Sequence, residues 1–440
     1  MIKNFSIFIF VVINLLLPFN TSQLKADDLN RIFNEGREKL TEKNYDEALK
    51  KFDKVIKKNP EYWQAYFNRG FIKKELKDLE GSIIDYSKAI ELNPKPWFIS
   101  YENRAFSKEE LGDILGALED YSKVAEINPN YEYGFYDIAR LKEKINEYES
   151  ALLNYSEAIK IDGNNAGFYS SRAFVREKIK DFEGAIQDYS EAIKIDENDS
   201  DFYYSRAGLR VKLKDFKGAI EDYSRGIKLD PMDYWAFHNR GEAKKNISDF
   251  KGAESDFAEA LKINSQFLWS YVQRAYMRSK NGDHISAIED FDNAIRIDPK
   301  KDYLFNSRGF SKAQTGDYIG AIKDFSSTLS LSPNNEVAYT SRAYYKTQIG
   351  DFKGALSDYS AAIKIDPFEP QTYISRAWVN SNLGDYEQAN VDYEKVLDIG
   401  DNTQKLESVI YLMENYLILS KLSKVPELIE KAKLLINQSD

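Results

Sequence analysis

The sequence predicts an all-α protein made of stacked antiparallel helix pairs. One observation is a period of 34 residues, seen in segments such as EGSIIDYSKAIELNP, EGAIQDYSEAIKID and KGALSDYSAAIKIDP. A second is the recurrence of small and aromatic residues three to five residues apart, which is the spacing of one helical face. A third is the proline near the end of most repeats, because proline lacks the N–H that would continue a helix. Each repeat is therefore predicted to form two helices joined by a short turn, with the second helix ending before the proline.

Eleven repeats align over residues 29–403, with one extra residue in the stretch Lys95-Pro96-Trp97. They begin at residues 29, 63, 98, 132, 166, 200, 234, 268, 302, 336 and 370. A residue is identified below by its position in its repeat, so that Tyr339 stands at position 4 of repeat 10. Aspartate at position 16, as in Asp351, is expected to cap the second helix.

The pattern of residue types within the repeat resembles a known family. Small residues stand at positions 8, 20 and 27, aromatic residues at positions 4 and 24, and proline at position 32 in most repeats. This pattern is similar to the tetratricopeptide repeat. The resemblance implies a right-handed α-solenoid, or superhelix, with a concave and a convex surface. It also implies that the protein binds other proteins.

Position 7 departs from the family, which usually has leucine there. Nine repeats have arginine at position 7, and the same nine have aspartate at position 23. Repeat 1 has the charges exchanged, and repeat 4 has lost both of them. We therefore predict a structural ion pair between the two helices of one repeat, as in Arg69–Asp85, Arg172–Asp188 and Arg342–Asp358. The alternative is that the row of arginines binds anions.

A candidate ligand groove follows from the resemblance. In the family, positions 2, 5, 9, 12 and 13 of the first helix tend to line the concave face. Here aromatic residues and one histidine are frequent at positions 2, 5 and 9, and aromatic residues are typical of binding hot spots. The alternative at position 9 is packing against the neighbouring helix pair. The candidates are Tyr136, Tyr204, Trp235, His238, Trp269, Tyr276, Tyr303, Phe310, Tyr344 and Trp378.

The composition argues against several classes of function. The chain has no cysteine, which excludes thiolate zinc sites, iron–sulfur clusters and cysteine nucleophiles, and it has only two histidines. Its net charge of −10 argues against nucleic acid as the partner. The phosphate-binding, dinucleotide-binding and hydrolase motifs are missing from the sequence. We therefore expect no catalysis, no cofactor and no metal.

The two ends differ from the repeats. Residues 1–26 contain an apolar core after Lys3 and a small-residue exit at Ala26, as in a signal peptide, with an uncleaved membrane anchor as the alternative. Residues 404–440 are expected to form helices that cap the array. An apolar stripe through Leu406, Val409, Ile410, Met413 and Leu417 is expected to pack the first of them.

These observations favour an exported scaffold, in the periplasm, secreted or anchored to the membrane by its N-terminal segment. Its partners would be peptide segments or components of an envelope complex. The alternative function is a polysaccharide-binding or polymer-export accessory protein, since aromatic faces also stack on sugar rings.

Overall fold

The computed structural model describes residues 24–437. These residues form 24 α-helices and one short 3-10 helix, and they contain no β-strand. The all-α class and the stacked antiparallel helix pairs predicted from the sequence are confirmed. The segment that carries the apolar core of the predicted signal peptide lies outside the described residues. Within the part of the chain that is described, no helix combines the length and the hydropathy needed to cross a membrane.

The chain divides into two compact bodies, and the N-terminal body ends at Leu213. It contains the helix pairs of repeats 1–5 and the first helix of repeat 6. Its helices are α1 Leu24–Thr41, α2 Tyr45–Lys58, α3 Trp63–Glu75, α4 Leu79–Leu92, α5 Phe98–Glu110, α6 Ile114–Ile127, α7 Glu132–Lys144, α8 Tyr148–Ile161, α9 Ala166–Lys178, α10 Phe182–Ile195 and α11 Ser200–Lys212.

The C-terminal body begins at Lys214 and contains the rest of repeat 6, repeats 7–11 and the C-terminal helices. Its helices are α12 Phe216–Leu229, α13 Tyr234–Asn246, α14 Phe250–Ile263, α15 Leu268–Lys280, α16 His284–Ile297, α17 Asp302–Gln314, α18 Tyr318–Leu331, α19 Glu336–Gln348, α20 Phe352–Ile365, α21 Pro370–Asn382, α22 Tyr386–Ile399, α23 Asn402–Ile418 and α24 Val425–Asn437. The 3-10 helix Leu422–Lys424 leads into α24.

The start of each second helix is fixed by local chemistry. The Asp351 carboxylate accepts a hydrogen bond of 3.0 Å from the backbone N–H of Gly354 and so caps α20. Asp78 and Asp181 cap α4 and α10 in the same way. Such a cap stabilises a helix by about 1 kcal/mol, because the first N–H groups of a helix otherwise have no partner.

The core is divided into layers that neighbouring repeats share. In repeat 10, Ala343 at position 8 and Ala355 at position 20 are fully buried, which lets α19 and α20 approach closely. Tyr359 at position 24 fills the space beside them and packs with Val379 of repeat 11. Because each layer joins one repeat to the next, the array is stabilised by contacts between neighbours, as in other repeat proteins.

The C-terminal helices pack on repeat 11, but α23 buries a different face from the one expected. Val409 and Leu412 are fully buried there, and Asp401 and Gln404 form a reciprocal capping box at the start of the helix. The predicted stripe is wrong in part, because Ile410 and Leu417 are exposed. Consecutive residues of a helix lie about 100° apart around its axis. The buried face of α23 is therefore rotated from the predicted stripe by less than that angle.

Candidate ligand-binding groove

The arginine at position 7 and the aspartate at position 23 meet between the two helices of a repeat. In repeat 10, Arg342 donates from Nε to Oδ2 of Asp358 at 2.8 Å and from Nη2 to Oδ1 at 2.6 Å. Asp358 is buried, and a paired, parallel geometry of this kind is the strongest form of arginine–carboxylate bond. The same two bonds join Arg69–Asp85, Arg104–Asp120, Arg172–Asp188, Arg240–Asp256, Arg274–Asp290, Arg308–Asp324 and Arg376–Asp392.

The two exceptional repeats follow the same logic. In repeat 1 the exchanged charges still meet, because Lys51 donates to Glu35 at 2.5 Å. In repeat 4 the space is apolar on one side, where Ile138 is buried. Asn154, at the aspartate position of that repeat, donates instead to the backbone carbonyl of Ser150 at 2.8 Å.

Eight of the nine arginines also bind the preceding repeat, which the sequence alone did not predict. Arg342 donates from Nη1 to the Ser326 hydroxyl of repeat 9 at 2.9 Å, and its guanidinium carbon lies 5.6 Å from the centre of the Tyr339 ring. The acceptor always stands at position 25 of the repeat before. The other pairs are Arg69–Asp53, Arg104–Ser87, Arg172–Ser156, Arg206–Ser190, Arg240–Ser224, Arg308–Asp292 and Arg376–Ser360.

A second cation binds the same carboxylate. Lys346, one turn after Arg342, lies with Nζ 2.8 Å from Oδ2 of Asp358. Arg342 therefore uses all three of its nitrogens on groups of the protein itself, and Asp358 receives two cations. This geometry supports the structural interpretation of the arginines over the anion-binding one, because the guanidinium group already faces a carboxylate, a hydroxyl and a ring.

Four aromatic side chains stand at position 9 of four consecutive repeats, and we call Tyr276, Phe310, Tyr344 and Trp378 the aromatic ladder. Their exposed fractions are 42%, 37%, 51% and 43%. Phe310 packs at a steep angle on the buried Phe325, with ring centres 5.1 Å apart, and Tyr276 packs on Phe291 in the same manner. Part of each ring is therefore core packing, and the rest faces solvent.

The ladder runs across neighbouring first helices of the C-terminal body. The Tyr276 hydroxyl in α15 lies 2.9 Å from the Ser307 hydroxyl in α17, so position 9 of one repeat borders position 6 of the next. Trp235 and Trp269, at position 2 of repeats 7 and 8, are about half exposed. Tyr303 at position 2 of repeat 9 is partly buried, packed against the core of repeat 8.

At the positions that line the ladder in repeats 9–11, no side chain is charged at neutral pH. Positions 2, 5, 6, 12 and 13 of α17, α19 and α21 hold only neutral residues. Hydroxyl groups occupy position 6, and exposed amides occupy position 13; these residues are Ser307, Ser341 and Ser375, and Gln314, Gln348 and Asn382. Earlier repeats differ, since they have Lys178, Lys212 and Lys245 at positions 12 and 13.

His238 differs from the expectation that it lines the groove. It is only 7% exposed, and its ring packs against Phe257 and Phe267. Its Nδ1 lies 3.0 Å from the Ser270 hydroxyl of the next repeat. Burial, helped by the nearby charge of Lys245, lowers the pKa of His238 to about 4. A neutral buried imidazole that joins two repeats is a packing residue, and its side chain lies beneath the surface that a ligand could touch.

The candidates of the N-terminal body are less exposed than the ladder. Tyr136 is half-buried and packs against Phe168 and Tyr155, with ring centres 5.1 and 5.7 Å apart. Tyr204 in α11 is also half-buried. Position 5 thus points partly into the layers between repeats, whereas position 9 points outward.

Repeat 4 has an ionic network where seven other repeats have an aromatic residue at position 9. Arg140 stands at this position, and both of its terminal nitrogens bind Glu109 of repeat 3. The Arg140 guanidinium also donates to Asp137 at 3.2 Å. Burial raises the pKa of Asp137 to about 7, against the opposing effect of Arg140. Burial likewise raises the pKa of Glu102, which accepts a hydrogen bond of 2.6 Å from the Tyr131 hydroxyl.

Residues 24–437 contain no group of histidine, aspartate and glutamate side chains arranged to hold a metal ion. The chemistry available along the ladder is therefore apolar contact with ring faces and hydrogen bonding to neutral hydroxyl and amide groups. Such a surface recognises shape and neutral polar groups rather than charge.

Solved structures similar to this chain include proteins described as tetratricopeptide-repeat proteins. A tetratricopeptide-repeat protein from Cytophaga hutchinsonii is 19% identical, with a TM-score of 0.47 over 52% of this chain and 94% of its own. Yeast Tom70 is 18% identical, with a TM-score of 0.35 over 93% of this chain and 99% of its own. YrrB, described as a tetratricopeptide-repeat protein with an unusual peptide-binding site, is 24% identical, with a TM-score of 0.38 over 41% and 94%.

A search of curated proteins found no match to the sequence. The family model of the tetratricopeptide repeat matches five segments, which are residues 64–96, 166–199, 200–232, 270–301 and 370–400. All five segments follow the 34-residue register and coincide with helix pairs or their parts. These five segments of the chain therefore match the tetratricopeptide repeat.

Proposed function

We propose that this protein is a non-catalytic scaffold, exported from the cytoplasm, that binds segments of partner proteins along the aromatic ladder. The observation that carries the proposal is the exposure of Tyr276, Phe310, Tyr344 and Trp378 at one position of four consecutive repeats. Burying such rings against a partner would remove a large apolar area from water, and each ring is already held in place by the layer beneath it.

The network of arginine and aspartate pairs supports this proposal, because it separates the side chains that stabilise the array from those proposed to bind a partner. The arginine and aspartate pairs hold the repeats in register, and they lie between the helices rather than at the ladder. Binding and stability therefore depend on different side chains of the first helix, so a ladder residue can be changed with a moderate effect on folding. The two uses of the helix can be separated by mutation.

The first experiment replaces Tyr344 with a photo-crosslinking amino acid in the full-length protein, expressed in its native cell. We expect a small set of proteins to be crosslinked. The matched control places the same amino acid at Ile319, an apolar residue of the second helix α18 that is more exposed than Tyr344. The same proteins crosslinked at both sites, or none at Tyr344, would argue against the ladder as a binding surface.

The proposed export has a separate test. If residues 1–26 are removed as a signal peptide, N-terminal sequencing of the protein purified from its native cell will begin at Asp27. If the segment remains as an anchor, the intact chain will be in the membrane fraction, and its repeats will be digested by protease added outside the cytoplasmic membrane. Protection of an intact chain from that protease would overturn the proposed location.

A further inference from the structure

The groove beside the aromatic ladder has a period and a neutral chemistry that restrict what can bind it. Tyr276 and Ser307 bring the first helices of two neighbouring repeats into contact. Helices in such contact lie about 8–10 Å apart, axis to axis. Because the four ladder residues share one repeat position, their rings recur at about that interval.

An extended ligand that uses every ring must present an apolar group at the same interval. A polyproline II segment turns once in three residues and rises about 3.1 Å per residue, so its side chains return to one face about every 9 Å. A β-strand returns every two residues, or about every 7 Å, and an α-helix rises about 5.4 Å per turn. The polyproline II period lies closest to the spacing of the ladder.

The polar groups beside the ladder also suit such a segment. A polyproline II backbone makes no internal hydrogen bonds, and proline has no N–H, so its carbonyl oxygens require donors from elsewhere. Hydroxyl groups stand at position 6, at Ser307, Ser341 and Ser375; Ser307 already shares a hydrogen bond with Tyr276, and Ser375 donates one to Tyr359. Gln314, Gln348 and Asn382 can donate from exposed amides at position 13.

The charges point to an uncharged partner. In repeats 9–11 the lining positions of the first helices carry no side chain that is charged at neutral pH. Lysines occupy positions 12 and 13 in repeats 5–8, at Lys178, Lys212, Lys245 and Lys280. A charged ligand would therefore find no counter-charge among these positions in repeats 9–11.

From this period, donor set and neutrality we propose that the aromatic ladder of repeats 8–11 binds a proline-rich, uncharged protein segment in the polyproline II conformation. One residue in three packs between successive rings, and the hydroxyl and amide groups bind the carbonyl oxygens that lie between. This inference rests on the proposed protein-binding function and names the chemistry of the segment that is bound.

The test measures binding of a fluorescent peptide of about five Pro-Pro-Ala triplets to purified residues 27–440, by fluorescence anisotropy. A Gly-Ser-Ala peptide of equal length tests the need for a preformed conformation, and a Pro-Pro-Glu peptide tests the neutrality. We expect the Pro-Pro-Ala peptide to bind at least tenfold more tightly than either control. We also expect its affinity to stay within about twofold between low and high salt, because no charge pair is formed.

Two double variants locate the site. Tyr344→Ala with Trp378→Ala should weaken binding at least tenfold, whereas Ile285→Ala with Ile319→Ala, which changes exposed apolar residues of the second helices, should leave it unchanged. Circular dichroism would show that both variants keep their helices. If the ladder variant unfolds, Gln348→Glu with Asn382→Glu tests the same surface. We expect this variant to weaken binding of the Pro-Pro-Ala peptide less than fivefold. It should weaken binding of the Pro-Pro-Glu peptide by a larger factor.

Equal affinity for the Pro-Pro-Ala and Gly-Ser-Ala peptides, or a loss of affinity with salt, would overturn the proposal. So would binding of a cello-oligosaccharide that depends on Tyr344 and Trp378 with no binding of the peptide, since the ladder would then be a sugar site. If partner proteins crosslink at Tyr344 but the peptide does not bind, only this inference fails. If neither occurs, the proposed function fails with it.

Discussion

Arg342 in α19 binds Asp358 in α20 through two hydrogen bonds, of 2.8 and 2.6 Å, and binds Ser326 of the preceding repeat through a third. One side chain thus joins the two helices of its own repeat and the repeat before it. This relation explains why position 7, which is usually leucine in the family, is arginine in nine of the eleven repeats. A leucine would fill the same space but could not form hydrogen bonds to Asp358 and Ser326.

Removing the carboxylate should be far more harmful than removing the whole pair. Asp358→Ala leaves Arg342 and Lys346 largely buried without a counter-charge, and we expect a loss of about 3 kcal/mol of unfolding free energy in urea denaturation. The double variant Arg342→Ile with Asp358→Asn reproduces the residues of repeat 4 and should lose less than the single variant. A double variant as unstable as Asp358→Ala would show that the charges themselves are required.

The raised pKa of Asp137 makes stability fall as pH rises. The folded-state pKa is about 7, above the ordinary value of 3.8, so between these values the unfolded chain ionises while the folded chain stays protonated. Asp137→Asn removes this loss. We expect the variant to be about 4 kcal/mol more stable than the wild type above pH 7, and the difference to vanish near pH 4.

Urea denaturation at several pH values checks the Asp137 prediction. Glu102, Glu109, Arg140 and Tyr131 stay in place in both proteins, so the quantity to follow is the difference between wild type and variant. A difference that grows toward low pH would contradict the prediction.

His238 should make the free energy of unfolding fall as the pH is lowered. Its folded-state pKa of about 4 lies below the ordinary value of 6.5, so stability is fully present above pH 6.5 and is lost as the pH falls toward 4. His238→Gln removes the ionisable group. We expect the variant to lose about 3 kcal/mol less than the wild type between pH 6.5 and 4, as measured by urea unfolding. Equal pH dependence in the two proteins would mean that the pKa of His238 is not lowered in the folded protein.

Gly316 sits in a turn conformation that other residues adopt at a cost. Its φ is +85°, so Gly316→Ala should destabilise the protein by about 1 kcal/mol even though a Cβ would meet no atom within 4 Å. Gly208 supplies the control, because it lies inside α11 with equally open space and helical backbone. Gly208→Ala should stabilise by up to about 1 kcal/mol. Thermal unfolding of both variants measures the contrast.

The features that repeat along the chain could be predicted from the sequence, and those that depend on a single place could not. The Arg342–Asp358 relation was visible because repeats 1 and 4 change both positions together. The third bond of Arg342, to Ser326, joins two repeats, and a comparison of positions 7 and 23 within one repeat could not reveal it. The signal was nevertheless present, because serine or aspartate stands at position 25 of the repeat before almost every arginine. Ala258 before Arg274 is the exception, since alanine has no hydrogen-bonding side chain.

The border between buried and exposed faces was the least predictable part of the site. Position 5 was expected to line the groove, yet His238 lies in the layer between repeats, while Trp235 at position 2 of the same helix is about half exposed. On a helix, one residue rotates the side chain by about 100°, and the exact tilt of α13 against its neighbours decides which side of the border it occupies. The neutrality of repeats 9–11 was readable in the sequence, but its meaning required the ladder geometry.

The bond from eight of these arginines to the repeat before them gives the array a direction. A chain that ends after residue 335 keeps the Arg308–Asp292 and Arg308–Asp324 bonds intact, whereas a chain that starts at residue 336 leaves Arg342 without Ser326. During synthesis the acceptor at position 25 is made before the arginine that binds it, so the hydroxyl or carboxylate is already in place when that arginine is added. Growth from the N-terminus therefore adds repeats to a prepared edge, and loss from that end removes one of the three acceptors of the next arginine, which keeps its bonds to the aspartate of its own repeat.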